Sequence, residues 1–167
     1  MAGRQSSFRY YGISLAVLLL DQVTKWLVLD RMKLYESIPV VDGIFYITSH
    51  RNRGAAFGIL QNQQWLFIPV TLIVVAVLIY YLWVFRRDRP LASWSFSLIL
   101  GGAVGNLIDR IRMGEVVDFL DFQLINYPIF NVADSAIVIG VALFILDMIK
   151  NPAKETGNRF SEVRDGR

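Results

Sequence analysis

Apolar residues gather along the chain in four blocks, each close to the length of about 20 residues that a helix needs to cross a bilayer. They run from about Tyr10 to Leu29, Trp65 to Phe85, Leu91 to Ile108 and Phe130 to Ile149. The second block, "WLFIPVTLIVVAVLIYYLWVF", carries no charge. The first is interrupted by Asp21 and Lys25, and the fourth holds Asp134 a few positions in. Small residues in "GGAVGN" of the third block let helix backbones approach closely. Tyr10, Tyr11, Trp65, Trp83, Phe85 and Trp94 sit near block ends, as interfacial anchors do. Between the first two blocks the pattern changes. "ESIPVVDGIFYITS" (Glu36 to Ser49) is rich in β-branched and aromatic residues around an Asp-Gly turn signal, so it reads as strands. "EVVDFLDF" (Glu115 to Phe122) supplies another strand. The expected fold is an all-α membrane protein with four transmembrane helices and a small extracytoplasmic β-sheet. Residues 1–150 form a single four-helix membrane domain, with an outer β-rich loop over about 34–60 and a polar, flexible cytoplasmic tail over 151–167.

Composition agrees with that pattern. Of 167 residues, 54% are hydrophobic and only 19% charged, where a soluble domain carries about a quarter charged residues. The formal net charge of +3 has no basic stripe interleaved with aromatics behind it, so nucleic acid is not an expected partner. Lys and Arg lie between the apolar blocks instead. With four spans, ten of them fall on the side of both termini and of the "RRDR" loop, against six on the other side. That bias places both termini in the cytoplasm. The first block lacks an A-x-A-like cleavage site and its apolar pattern continues through "WLVL" past the charges, so it reads as a retained span rather than a leader. The chain has no cysteine and one histidine, His50. Thiol chemistry is therefore excluded, a zinc-hydrolase site is disfavoured, and no metal or cofactor is expected.

The polar residues inside or beside the spans share one depth. Asp21, Gln22 and Lys25 lie toward the outer end of the first span, and Asn106, Asp109 and Arg110 at the outer end of the third. Asp118 and Asp121 follow in the outer loop, and Asn131 and Asp134 open the fourth span. Each group has a structural reading. Asp21 and Lys25 are four apart, the order that favours an internal ion pair. Asn106, Asp109 and Arg110 fit an interfacial cap with Arg110 reaching to headgroups. Asn131 fits the N-cap of the fourth span, with Asp134 at N3. Their common depth points to one site near the outer face. Intramembrane ionisable residues also fit a proton or ion relay in a small transporter, or polar glue in a noncatalytic scaffold. The chain lacks the repeated halves that transporter folds usually carry. Two neighbouring aspartates that share a proton give a metal-free acid and base able to drive a water onto a peptide carbonyl. Asp134 is one of them; Asp118 and Asp121 compete to be the other, since they face opposite sides of a strand.

Five motifs, in order, are similar to those of one family: "DQVTK" (Asp21 to Lys25), "NRGAAFG" (Asn52 to Gly58), "GGAVGNLIDR" (Gly101 to Arg110), "VVDF" (Val116 to Phe119) and "FNVADS" (Phe130 to Ser135). The chain resembles bacterial lipoprotein signal peptidase, or signal peptidase II, from about Ser14 to Asp147. The resemblance implies an intramembrane aspartic endopeptidase of the bacterial cytoplasmic (inner) membrane, with its active site near the outer face. Its substrates are lipid-modified prolipoproteins, cut just before the diacylglyceryl-bearing cysteine to release the signal peptide. Membrane lipids are the other partners, and nothing demands more than a monomer. The implied dyad is Asp118 and Asp134, against Asp121. The implied substrate-binding and support residues are Asp21, Lys25, Asn52, Gly54, Asn106, Asp109, Arg110, Asn131 and Ala133. Lys25 is expected to neutralise Asp21, and Arg110 to pair with Asp109 or Asp21. Arg51 and Arg53 around the motif asparagine make the outer surface beside the site more basic.

Overall fold

The computed structural model describes residues 2–54, 63–85, 89–125 and 127–151. The expected tail from residue 152 on, the end of the outer loop (55–60) and most of the "RRDR" connection (86–88) lie outside the described residues. Four helices carry the four apolar blocks: α1 (Ala2–Arg31), α2 (Gln64–Phe85), α3 (Pro90–Met113) and α4 (Val132–Lys150). All four are long and apolar enough to cross a membrane, and their outward surface is apolar, with residues such as Trp65, Ile73 and Val138 exposed. In water such a surface would be a liability; against lipid tails it is the expected one.

Helix boundaries depart from the apolar blocks for a physical reason. Hydropathy marks where a helix meets lipid, whereas backbone hydrogen bonding decides where it stops. α1 therefore starts eight residues before Tyr10, and α3 runs five residues past Ile108. α3 begins with Pro90 at its first turn and ends at Gly114, which takes the left-handed conformation (φ 72°) and donates its N–H to Arg110 O at 3.1 Å.

α3 is the central helix, packed against α1, α2 and α4, and it is buried along most of its length. Its small residues make the close approaches. A Cβ on Gly101 would stand 2.6 Å from Ser14 O of α1, and one on Gly102 would collide with Ala133 O and Ile137 of α4. Without a hydrophobic drive between helices in lipid, backbone proximity and interhelical hydrogen bonds supply the association. Ser14 Oγ donates to Ser97 O at 2.9 Å, and Ser95 Oγ donates to Gly140 O at 2.7 Å. At the end opposite the sheet, Arg89 pairs with the buried Asp147 of α4 at 2.5 Å. Tyr10, Leu78, Leu82, Ala92, Phe96 and Leu100 form the apolar core of that end.

The sheet crowns the other end. Its antiparallel strands β1 (Ser37–Val41), β2 (Phe45–Asn52) and β3 (Val116–Phe122) lie in the order β1-β2-β3. Asp42 and Gly43 make the β1–β2 turn, with Gly43 at φ 72°. Val28 of α1 packs with Val117 and Phe119 to seat the sheet on the bundle. The β2–β3 register shifts between Ile47 and His50, so that two residues, Thr48 and Ser49, oppose Phe119 alone. Beyond β3 the chain returns as an isolated bridge. Phe130 donates its N–H to Leu120 O at 3.1 Å and accepts at its own carbonyl from Leu120 N–H at 2.8 Å. The residue after that bridge is Asn131, where α4 begins.

The close approach of α3 and α4 has a measurable consequence. Gly102→Val should destabilise the bundle by about 1–3 kcal/mol, the range for overpacking, and lower its melting temperature in detergent. Gly12→Ala, whose added Cβ meets nothing within 4 Å, should leave the melting temperature unchanged or slightly higher. Equal melting temperatures for the two variants would contradict the packing described.

Candidate active site

The site lies where α1, α3, β3 and the start of α4 meet, and its centre is ionic. Lys25 is 2% exposed and Asp21 fully buried. The Lys25 ammonium has three protons and three partners: Asp21 at 2.9 Å, Asp109 at 2.8 Å, and Asn106 Oδ1 at 2.8 Å. Asp21 turns its other oxygen to α4, where Ala133 N–H donates to it at 2.9 Å. Asp109 accepts from Val117 N–H of β3 at 3.3 Å. Gln22 adds a neutral clamp, its amide nitrogen reaching Asp21, Asp109 and Gly105 O at 3.1–3.2 Å. Gly105 is required here, because a Cβ would fall on the Asp21 carboxylate.

The expected Asp21–Lys25 pair is thus present, but the expected partner of Arg110 is not. Arg110 makes no ion pair among the described residues. It lies over the Phe67 ring, 5.0 Å from the centroid, and donates to Gly54 O at 3.4 Å. One residue along a helix is a turn of about 100°, so Asp109 faces Lys25 while Arg110 points toward β2 and α2. Nor are Asn106 and Asp109 an interfacial cap: both are buried in the interior.

A layer of amides stands between this ionic centre and two further carboxyls. Asn106 accepts from Lys25 and from Asn131 Nδ2 (3.2 Å), which leaves its own Nδ2 to donate to Asp134 Oδ1 at 2.8 Å. Asn131 is the N-cap of α4 in a reciprocal capping box: Asp134 N–H donates to Asn131 Oδ1 at 2.9 Å, and Asn131 N–H donates to Asp134 Oδ2 at 3.3 Å. Asn131 Nδ2 also donates to Asp118 Oδ1 at 2.7 Å, and Asn52 Nδ2 donates to Asp118 Oδ2 at 3.0 Å. Asn52 is fixed in turn by Gly54 N–H, which donates to its Oδ1 at 2.9 Å. Asn131 therefore touches both carboxyls. Asp118 is 1% exposed. Burial first, then the charge of Asp134, push its carboxyl up to about 7, against the opposing pull of Asn52, Asn131 and Lys25. Asp121 lies on the other face of β3 and is spent on Thr48 and Gln123, at 2.7 and 3.0 Å.

All the residues expected at the site converge there, whereas Asp121 does not. Reading the sequence missed the hub role of Asn106 and the clamp made by Gln22. Only the position of Gln22 inside "DQVTK", on the turn that carries Asp21 and Lys25, hinted at the latter. Among the described residues, no group of three or more His, Asp or Glu side chains is arranged to hold a metal ion.

The model of one protein family, signal peptidase (SPase) II, matches residues 13–150. The chain belongs to the signal peptidase II family. Curated relatives agree. The chain is 52% identical to a lipoprotein signal peptidase of Brevibacillus brevis over 145 residues, covering 87% of this chain and 97% of that one. It is 51% identical to one of Halalkalibacterium halodurans over 147 residues, 87% and 94% of the two chains. Two solved structures, described as a bacterial membrane enzyme at 2.3 and 1.9 Å resolution, share the fold. Their TM-scores are 0.80 and 0.75 at 38% and 40% identity; each covers 89% of this chain, against 92% and 94% of their own. Membership of signal peptidase II, an aspartic protease family, does not favour the transporter reading.

The buried centre should behave as one unit. Lys25→Met strands two buried carboxylates and should cost about 3–5 kcal/mol, read as a lower melting temperature in detergent. Arg31→Ala breaks an exposed pair with Asp30 and should cost under about 1 kcal/mol. A Lys25→Met variant as stable as Arg31→Ala would refute the ionic centre.

Proposed function

We propose that this protein is a membrane endopeptidase that removes signal peptides from lipid-modified prolipoproteins, with Asp118 and Asp134 as its acid and base. One observation carries the reading: two carboxyls from different elements are held by neutral amides alone and joined through Asn131. A cation bound directly to either would keep that one ionised. Amide donors fix the geometry and leave the pair free to share a proton, so one carboxylate takes a proton from water as it attacks the scissile carbonyl. The other protonates the departing amine, and the proton count is restored. Family membership favours cleavage just before a diacylglyceryl-modified cysteine.

Residues 1–150 act as a single membrane domain in the bacterial cytoplasmic membrane. Both termini face the cytoplasm, in line with the ten-to-six Lys and Arg bias. The dyad then faces the outer leaflet, where the acyl chains of substrate and the surrounding lipids meet the apolar faces of α2 and α3. Arg110 has a buried Nε without a hydrogen-bond partner beside Gly54 O, and it offers that donor to the substrate backbone. Asp21, Lys25, Asp109, Ala133 and Gly54 support the dyad from behind. The enzyme acts as a monomer.

Two measurements test this. Asp118→Asn and Asp134→Asn should each lower cleavage of a diacylglyceryl-modified precursor by at least about 10²–10⁴-fold, with melting temperatures no lower than the parent's. Near-normal cleavage by either variant rejects the dyad. The second test is pH. Because the folded state holds the Asp118 proton up to about 7, below that pH the pair keeps its proton, and above it the pair becomes doubly ionised. Cleavage should fall about tenfold per pH unit on the alkaline side. Stability follows the same sign. The folded state binds this proton more tightly than the unfolded chain, so stability is lost as pH rises from about 4 to 7. Asp118→Asn should gain on the parent across that window and run parallel to it above.

A further inference from the structure

The face of the sheet that presents Asp118 carries a second polar side chain, one with no role in the scaffold above. His50 stands directly opposite Asp118 in the β2–β3 register. Residues so paired place their Cβ atoms about 5 Å apart on the same face. Strand alternation puts Asn52, the donor to Asp118, on that face as well. The bulge at Thr48 and Ser49 keeps Ile47 and His50 both turned to it, opposite Leu120 and Asp118. On the far side the His50 ring meets the exposed Tyr35, 6.3 Å between centroids. Tyr35, His50 and Asp118 thus form a row across the sheet.

Neither ring nitrogen of His50 has a hydrogen-bond partner among the described residues, and Nδ1 is buried. Burial, then the neighbouring Arg51, lower the affinity of the ring for a second proton, so the imidazole is neutral near pH 7 with one N–H. An orphaned buried N–H is rarer than an orphaned acceptor, which places the hydrogen on Nε2, the nitrogen that is not buried without a partner. A donor on the strand face that presents Asp118 matches a group that every extended peptide presents at alternate positions, its backbone carbonyl.

We propose that His50 is a substrate-binding residue: its Nε2–H donates to a backbone carbonyl of the extended prolipoprotein segment lying across the sheet beside Asp118. The proposal rests on the endopeptidase reading above. The full chain is assayed in detergent on a diacylglyceryl-modified precursor. His50→Ala and His50→Leu should raise KM about three- to tenfold, the loss expected for one hydrogen bond, with kcat within about twofold. His50→Gln, which keeps a side-chain N–H at similar reach, should restore KM to within about twofold. An unchanged KM in His50→Leu overturns the proposal, and so does an equal loss in His50→Gln and His50→Leu, which would mark a role of shape alone. Asp118→Asn in the same assay separates the two readings. If it is inactive while the His50 variants match the parent, only the His50 role fails; if it cleaves, the endopeptidase dyad itself fails.

Discussion

The ammonium of Lys25 ties the structure together. Each of its three protons goes to a different acceptor, two on α3 and one on its own helix, so the α1–α3 contact is fixed in rotation as well as in distance. A buried ion pair stabilises little by itself, and removing one partner is what costs. Its value here is directional. Asp21 is carried on to the start of α4 through Ala133, and Asp109 to β3 through Val117. One cation thereby orients a second helix, the opening turn of a third and the first residues of a strand. Leucines at the same positions would pack as well against lipid-like surroundings but would permit sliding.

Between that cation and the two central aspartates stands a layer of uncharged amides, and the order matters. Lys25 and Asn131 both donate to the Asn106 oxygen, which decides the orientation of the Asn106 amide and turns its nitrogen to Asp134. Lys25 thus acts on the pair at one remove. At 2.8 Å from either carboxylate, an ammonium would keep it ionised through the whole physiological range. The amide layer passes on the position and attenuates the charge, which allows Asp118 to hold its proton to about 7.

Much of this was legible in the sequence because the membrane punishes polar residues placed without cause. Four apolar blocks gave four helices, the Asp-Gly turn gave the β1–β2 hairpin, and Asn131 was readable as a cap from its place three residues before Asp134. What failed was directional. The pairing of Arg110 with Asp109 or Asp21 assumed that an arginine at that depth must find a carboxylate, whereas both carboxylates serve Lys25 and adjacent helix positions diverge by about 100°. The opposite case held in β3, where period two separated Asp118 from Asp121 correctly. Asn106 was underrated because an amide has no charge to signal its importance; its role comes from three groups, Lys25, Asn131 and Asp134, that only the fold assembles.

The two central aspartates sit on elements with different mechanical supports. Asp134 belongs to α4, which packs along α3 for its whole length, while Asp118 belongs to a three-stranded sheet at the end of the bundle, an element too small to be rigid on its own. Two links couple them. Phe130 bridges to Leu120 through a reciprocal pair of backbone hydrogen bonds, which holds the last residue before the helix cap against β3. Asn131 then spans the gap itself, with its side-chain nitrogen on Asp118 and its backbone N–H on Asp134. Any shift of the sheet over the bundle must break a bond made by Asn131, which is fully buried. The separation of the two carboxyls is therefore set by one residue's internal geometry, not by the looser packing of sheet on helices.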